Sequence, residues 1–311
     1  MTGHNRQSEA EWLDRLSALK VGRGPTGMPA PHKPVMLLSI LDLVEAGELA
    51  TPTVAFNVFL TQRFRDYWGL LAARQPRAPD IALPFHHLHS DGVWAPQTAS
   101  GLPSGSKATT RQCAIEPTLW PLLCDAPFRR DLRMRLIARY FEPMEQVALC
   151  ARLALPVPDT AEIARVAADA AGYRALQQKG RDGRFKSLVL AGYQYTCAWS
   201  GYRLMTDTSA LVQAAHIEQH AQTGNDDPRN GLALTPDGHW MFDNGLWSVR
   251  PAGDALLIEV KAGAFAESGG ERLLARHGQP LVFHAAATLR PEREFLRWHA
   301  RRWGFNTDGG W

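Results

Sequence analysis

At 311 residues, with 45% hydrophobic and 21% charged side chains, the chain has room for two domains of ordinary size, each with its own core. A formal net charge of +3 permits a polyanionic partner without requiring one. The longest apolar run, Val35 to Val44, falls well short of the roughly 20 residues a membrane span needs and is broken by Asp42, so no membrane partner is expected.

Residues 8–20 carry Trp12, Leu13, Leu16 and Leu19 at helical spacing, with Ser8 as the cap and Gly22 just beyond, and predict a first helix. A second is expected to start at Pro34, bury Val35, Leu38, Leu41 and Val44, and end at Gly47. Lys33 stands at its mouth, where a helix N-terminus already attracts phosphate. Residues 52–73 read as helical, their wide aromatic face (Phe56, Phe59, Phe64, Tyr67, Trp68) suited to a core rather than to stacking bases.

The segment LPFHHLHSDGVW alternates about Ser90-Asp91-Gly92 and predicts a hairpin, with His87 and His89 on one face and His86 on the other. The loop ASGLPSGSKATTRQ follows. Two helices are expected over 118–142, the second carrying Arg129, Arg130, Arg133, Arg135 and Arg139, either along a nucleic-acid backbone or as a solvated face. Pro156-Val157-Pro158 marks a boundary, followed by a connector helix from Thr160 to about Lys179 and the basic run KGRDGRFK. The expected domains are 1–155, a connector over 156–186, and 187–311.

In the third segment, His216 ends an apolar run that reads as a strand, Asn230 lies in the turn-rich TGNDDPRNG, and His239 begins a short helix after Pro236 and Asp237. LWSVRPAGDALLIEV predicts a hairpin turning at Ala252-Gly253-Asp254 that extends a sheet beside the site. The final helix, Pro291 to Trp303, has Arg290, Arg293, Arg297 and Arg301 at helical intervals, either against nucleic acid or merely solvated, with Trp298 and Trp303 packing.

The order His216, Asn230, His239, with AAHI at the first histidine and H-x-x-F-D at the last, resembles the HNH (ββα-metal) endonucleases. The resemblance implies an α+β chain whose C-terminal domain hydrolyses phosphodiesters. By it, His216 is the general base, a role its ordinary pKa suits. His239 and Asp243, one helical turn apart, would hold one divalent cation, Mg²⁺ or Mn²⁺, and Asn230 would bond across the loop to keep His216 aimed. Many such enzymes carry a ligand just before the base, where this chain has Ala215; Asp243 is the best substitute, with Gln213 and His220 behind it. The four cysteines, Cys113, Cys124, Cys150 and Cys197, form no CxxC pair, so no structural zinc is expected. Scattered thiols and the lack of a cationic leader with an apolar core suggest a bacterial cytoplasm.

HKPVMLL and PFHHLHSDGVW, placed ahead of such a unit, are similar to the sulfur-binding domain of phosphorothioate-dependent type IV restriction endonucleases. The partner would then be double-stranded modified DNA, touched by Lys33, His87, His89, Pro103, Lys107 and Arg111. Sulfur is softer and a poorer acceptor than oxygen, so its reader needs an apolar seat rimmed by cations. Leu102, Pro103 and Ala108 with Lys107 and Arg111 offer one; a plain surface loop is the bland alternative. Two further readings stay open: a nuclease that reads a modified base such as 5-methylcytosine, and a non-catalytic DNA-binding protein with a degenerate HNH fold. Since one HNH unit cuts one strand, a homodimer on DNA is the expected route to a double-strand break.

Overall fold

The computed structural model describes residues 2–23, 27–71, 78–219, 224–261 and 270–307, and His220 lies outside them. The described chain mixes helices with three small antiparallel sheets, an α+β fold. It divides into two compact units, residues 1–183 with 207–209, and residues 184–206 with 210–311.

The first unit is built about α2 (His32–Glu45), whose run from Pro34 to Leu41 is buried all round. A helix apolar on every side must be enclosed, and α3 (Val58–Leu70), α5 (Trp120–Cys124) and α6 (Ala126–Tyr140) pack around it. Gly47, at φ +69°, follows its last turn in the left-handed region, as a residue ending a helix requires. The first helix, α1 (Thr2–Ser17), begins well before Ser8, which lies inside it, and still buries Trp12, Leu13 and Leu16 against α6.

Residues 52–73 are not one helix. Thr53–Ala55 form strand β1, and Asn57 then caps α3 by accepting the Leu60 N–H at 3.1 Å. The hairpin expected about Ser90-Asp91-Gly92 is also absent. Residues 82–87 form helix α4 and 88–91 a 3-10 turn, which Gly92 ends at φ +67° before strand β2 (Trp94–Gln97). Phe85 and Leu88, three residues apart, are both buried on one face, and that spacing outweighs the alternation. Strand β3 (Gln112–Ile115) lies between β1 and β2, so the loop 98–111 joins two paired strands.

Of the five α6 arginines, Arg129 and Arg133 are buried and bonded inside the unit, and Arg130, Arg135 and Arg139 are exposed. Arg129 donates to the Leu123 carbonyl, Arg133 pairs with Asp42 and Glu45, and Arg135 pairs with Asp14. Asp42 also accepts the Tyr67 hydroxyl at 2.9 Å, and burial pushes the Tyr67 phenol well above its usual pKa, with Asp42 adding to the shift. A helix passed over in the sequence, α7 (Pro143–Leu153), is started by a reciprocal Glu142–Glu145 capping box. The single connector helix is in fact two, α8 (Ala161–Ala168) and α9 (Ala170–Gly192), broken at Asp169, whose carboxylate accepts the Gly172 N–H. The basic run is therefore helical, within α9.

In the second unit β4 (Gln213–His216) pairs antiparallel with β5 (Gly231–Leu234), and α10 (Pro236–Asp243) follows directly. Strands β6 (Trp247–Ala252) and β7 (Ala255–Val260) form the expected hairpin, with Gly253 at φ +61° in its two-residue turn. They make a sheet of their own rather than extending β4–β5. The buried Trp247 indole donates to the Gly238 carbonyl at 3.2 Å and anchors α10 to that hairpin. After the short α11 (Gly270–Leu274), α12 (Arg293–Trp303) packs on β6.

Candidate nuclease site

His216 closes β4 opposite Gly231. Its half-buried ring lies flat on Phe185 of α9, centroids 3.7 Å apart and planes 5° from parallel. Gly231 makes room for this, because a Cβ there would stand 2.4 Å from Val189 and 3.0 Å from the Phe185 ring. Phe185 lies within the basic run KGRDGRFK. Yet Phe185 and Val189, both buried and four apart, form an apolar pair legible in the sequence.

Asn230 is wholly buried at the foot of the β4–β5 loop. Its Oδ1 accepts the Glu218 N–H at 2.8 Å, and its Nδ2 donates to the carbonyls of Glu218 and Asn225, each at 3.2 Å. Its own carbonyl accepts the Ile217 N–H at 2.9 Å. The amide thus latches the chain that leaves His216 to the chain that returns.

His239 sits on α10, where its Nε2 is 3.2 Å from Asp243 Oδ2 across one helical turn. Its Nδ1 donates to Gln213 Oε1 at 3.1 Å. Strand alternation puts Gln213 and Ala215 on the face of β4 opposite to Ala214 and His216. Gln213 thereby meets α10, Ala215 is buried without a ligand atom, and His216 turns to Phe185. Cys197 is buried, its sulfur accepting the N–H groups of Ser200 and Thr235 at 3.4 and 3.3 Å, which ties the turn 197–201 to the start of α10.

His299, missed in the sequence, is buried on α12 and stacks on Phe242 at 3.7 Å. Its Nδ1 meets Ser248 Oγ at 2.9 Å and its Nε2 meets the Phe242 carbonyl at 3.1 Å. Burial pulls its pKa down to about 4. Beside these elements, a cleft of about 390 Å³ is lined by Glu218, Glu294, Trp298, Arg301 and Arg302.

Of the residues predicted to touch DNA, Lys33 pairs with the buried Asp91 at 2.6 Å, and Lys107 pairs with Asp80. Arg111 is exposed but turned onto the carbonyls of Ala108 and Thr110; Pro103 is exposed. His87 and His89 are exposed and lie against the buried His86, so all three rings meet, where alternation had set His86 apart. Burial holds His86 below the usual histidine range, and its two neighbours add to the shift. A cavity of about 300 Å³ in this unit is lined by Val21, Ala30, Leu83 and Pro84 with Lys20, Lys33 and His87 at its polar positions.

A two-stranded ladder followed at once by a helix, bearing a histidine on the first strand and a histidine–aspartate pair on the helix, is the frame of a ββα nuclease. Residues 197–250 match the family model described as HNH endonuclease, and this segment is an HNH endonuclease domain. One similar solved structure is a modification-dependent TagI restriction endonuclease, 22% identical with a TM-score of 0.30, over 38% of this chain and 37% of that one. The chain thus matches little more than a third of that protein's length. No curated protein matches it.

HNH nucleases generally depend on a divalent metal, and the donors present fit one. His239 offers Nε2 and Asp243 a carboxylate oxygen, while the Gln213 acceptor keeps the proton on Nδ1, the outer hydrogen bond that ligating histidines need.

Proposed function

We propose that the chain is a modification-dependent restriction endonuclease, whose first unit reads modified double-stranded DNA and whose HNH domain cuts nearby. The observation that carries the nuclease part of this reading is the match of residues 197–250 to the HNH endonucleases together with the His239–Asp243 pair and the His216 ring held on Phe185.

In this reading His216 takes the proton from the attacking water, and Asn230 holds the loop that aims it. His239 Nε2 and the Asp243 carboxylate would hold the divalent ion, which when bound neutralises charge on the phosphate and leaving oxygen. Arg301 and Arg302, which share their cleft with Glu218 and Glu294, are the cations proposed to meet a phosphate strand. Products would end in 5′-phosphate and 3′-hydroxyl. A second copy would supply the second cut.

For the reader, phosphorothioated DNA is the favoured target. The 300 Å³ cavity combines apolar walls with Lys20 and His87, the seat a large soft anion atom calls for. His87, His89, Pro103, Lys107, Arg111 and, through its pairing with Asp91, Lys33 are the residues proposed to face DNA or shape the surface that does.

The test compares binding and cleavage of phosphorothioated, 5-methylcytosine-containing and plain duplexes of one sequence, with Mg²⁺ or Mn²⁺ and with EDTA. Selective, EDTA-sensitive cutting of the phosphorothioated duplex is expected. His216→Ala should slow cutting by about 10²- to 10⁴-fold with binding kept. Preference for the methylated duplex would transfer the reading to a modified base, and binding without cutting in any metal would overturn the nuclease.

A further inference from the structure

We propose that His86, His87 and His89 form a binding site for a zinc-class transition-metal ion in the first unit, apart from the nuclease pair. The inference goes beyond the proposed function and stands whether or not that reading does. Among the described residues these three make up the group of His, Cys, Asp or Glu side chains whose possible ligand atoms lie within 4.8 Å of one another. An ion held by nitrogen at about 2.0–2.1 Å in tetrahedral geometry needs its ligand atoms about 3.4 Å apart. Two of the rings, His87 and His89, are exposed, so reaching that spacing asks for rotation of side chains at the surface rather than in the core.

The hydrogen bonds around the cluster orient it for ligation. His86 Nδ1 lies 2.8 Å from Thr110 Oγ1, and His89 Nδ1 lies 2.7 Å from the His86 carbonyl. A carbonyl only accepts, so His89 carries its proton on Nδ1 and presents a bare Nε2. With Thr110 as acceptor, His86 does the same. Outer hydrogen bonds of this kind fix the tautomer and ring direction of metal-bound histidines and raise their basicity.

Donor chemistry separates this site from the other. Three imidazoles suit ions of the zinc, copper or nickel kind, whereas the single imidazole and carboxylate of His239 and Asp243 also suit Mg²⁺ or Mn²⁺. Three protein ligands leave a fourth position for water or an anion. Since His87 also lines the 300 Å³ cavity, that position would open beside Lys20 and Lys33.

The test uses the untagged full-length chain with His239→Ala and Asp243→Ala to silence the nuclease pair. It is stripped with a chelator, freed of it, and titrated with Co²⁺ and then Zn²⁺. One equivalent of Co²⁺ should bind with the visible bands of a low-coordinate ion, and Zn²⁺ should displace it. Adding His87→Ala or His89→Ala should weaken binding at least about tenfold with unchanged circular dichroism. Thr110→Val, which removes the outer acceptor, should weaken it about 10- to 100-fold, and Thr110→Ser should restore it. No stoichiometric binding, or binding indifferent to both His87→Ala and His89→Ala, would overturn the proposal.

Discussion

Phe185 and His216 lie face to face, 3.7 Å between ring centroids and 5° between planes, so the imidazole of the first HNH histidine is aimed by a side chain outside the motif. Phe185→Leu keeps most of the apolar volume but removes the flat platform. Misplacing a catalytic group by about 1 Å costs on the order of 10²-fold in rate. We expect kcat to fall by about that factor with KM little changed, and Phe185→Tyr to recover most of it. Single-turnover cleavage with bound DNA measures this; an unchanged rate in Phe185→Leu would remove Phe185 from the site.

Gln213 is the acceptor that holds His239 Nδ1. Losing such an outer hydrogen bond typically costs 10- to 100-fold in metal affinity. Gln213→Ala should therefore raise the Mn²⁺ concentration needed for half-maximal cleavage by roughly that range, with little change at saturation. Gln213→Glu keeps the acceptor and should lie near the wild type. A metal titration that superimposes for all three proteins would contradict the role.

Asn230 places all of its amide's hydrogen bonds on Glu218 and Asn225 in a fully buried position. Asn230→Ala strands those backbone groups, at about 1–3 kcal/mol for a buried group left unpaired. Urea melts should show that loss, and hydrogen exchange should rise at Glu218, whose amide is the donor. Protection at Glu218 equal to the wild type would mean that the loop does not depend on this latch.

His299 ties stability to pH. Its pKa lies near 4 when folded, against about 6.5 for a histidine in an unfolded chain. Between those values the unfolded chain takes up a proton that the folded one refuses, so stability falls as pH drops from about 6.5 to 4. The full effect is on the order of 3 kcal/mol. His299→Gln should be less stable at neutral pH yet lose less on acidification, as paired urea melts at pH 7 and 5 would register. A variant whose stability falls as steeply as the wild type's would acquit His299.

Local spacing made the strand–loop–helix frame of the HNH domain legible: an apolar run ending in His216, a Gly-, Asp- and Pro-rich turn, and Pro236 opening a helix in which His239 and Asp243 share a face. The buried stripe of α2 and the β6–β7 hairpin were legible for the same reason, since each is set by residues a few positions apart. Only the tertiary structure decided that Phe185 carries His216, that Gln213 reaches His239, and that His299 is buried under Phe242, because those partners lie 31, 26 and 57 positions apart. Only it showed that Arg133 answers Asp42 inside the first unit, where charge alone left a nucleic acid or a solvated face open. The three histidines after Phe85 show the same limit at short range. Alternation would have parted them, and the burial of Phe85 and Leu88 on one helical face drew them together.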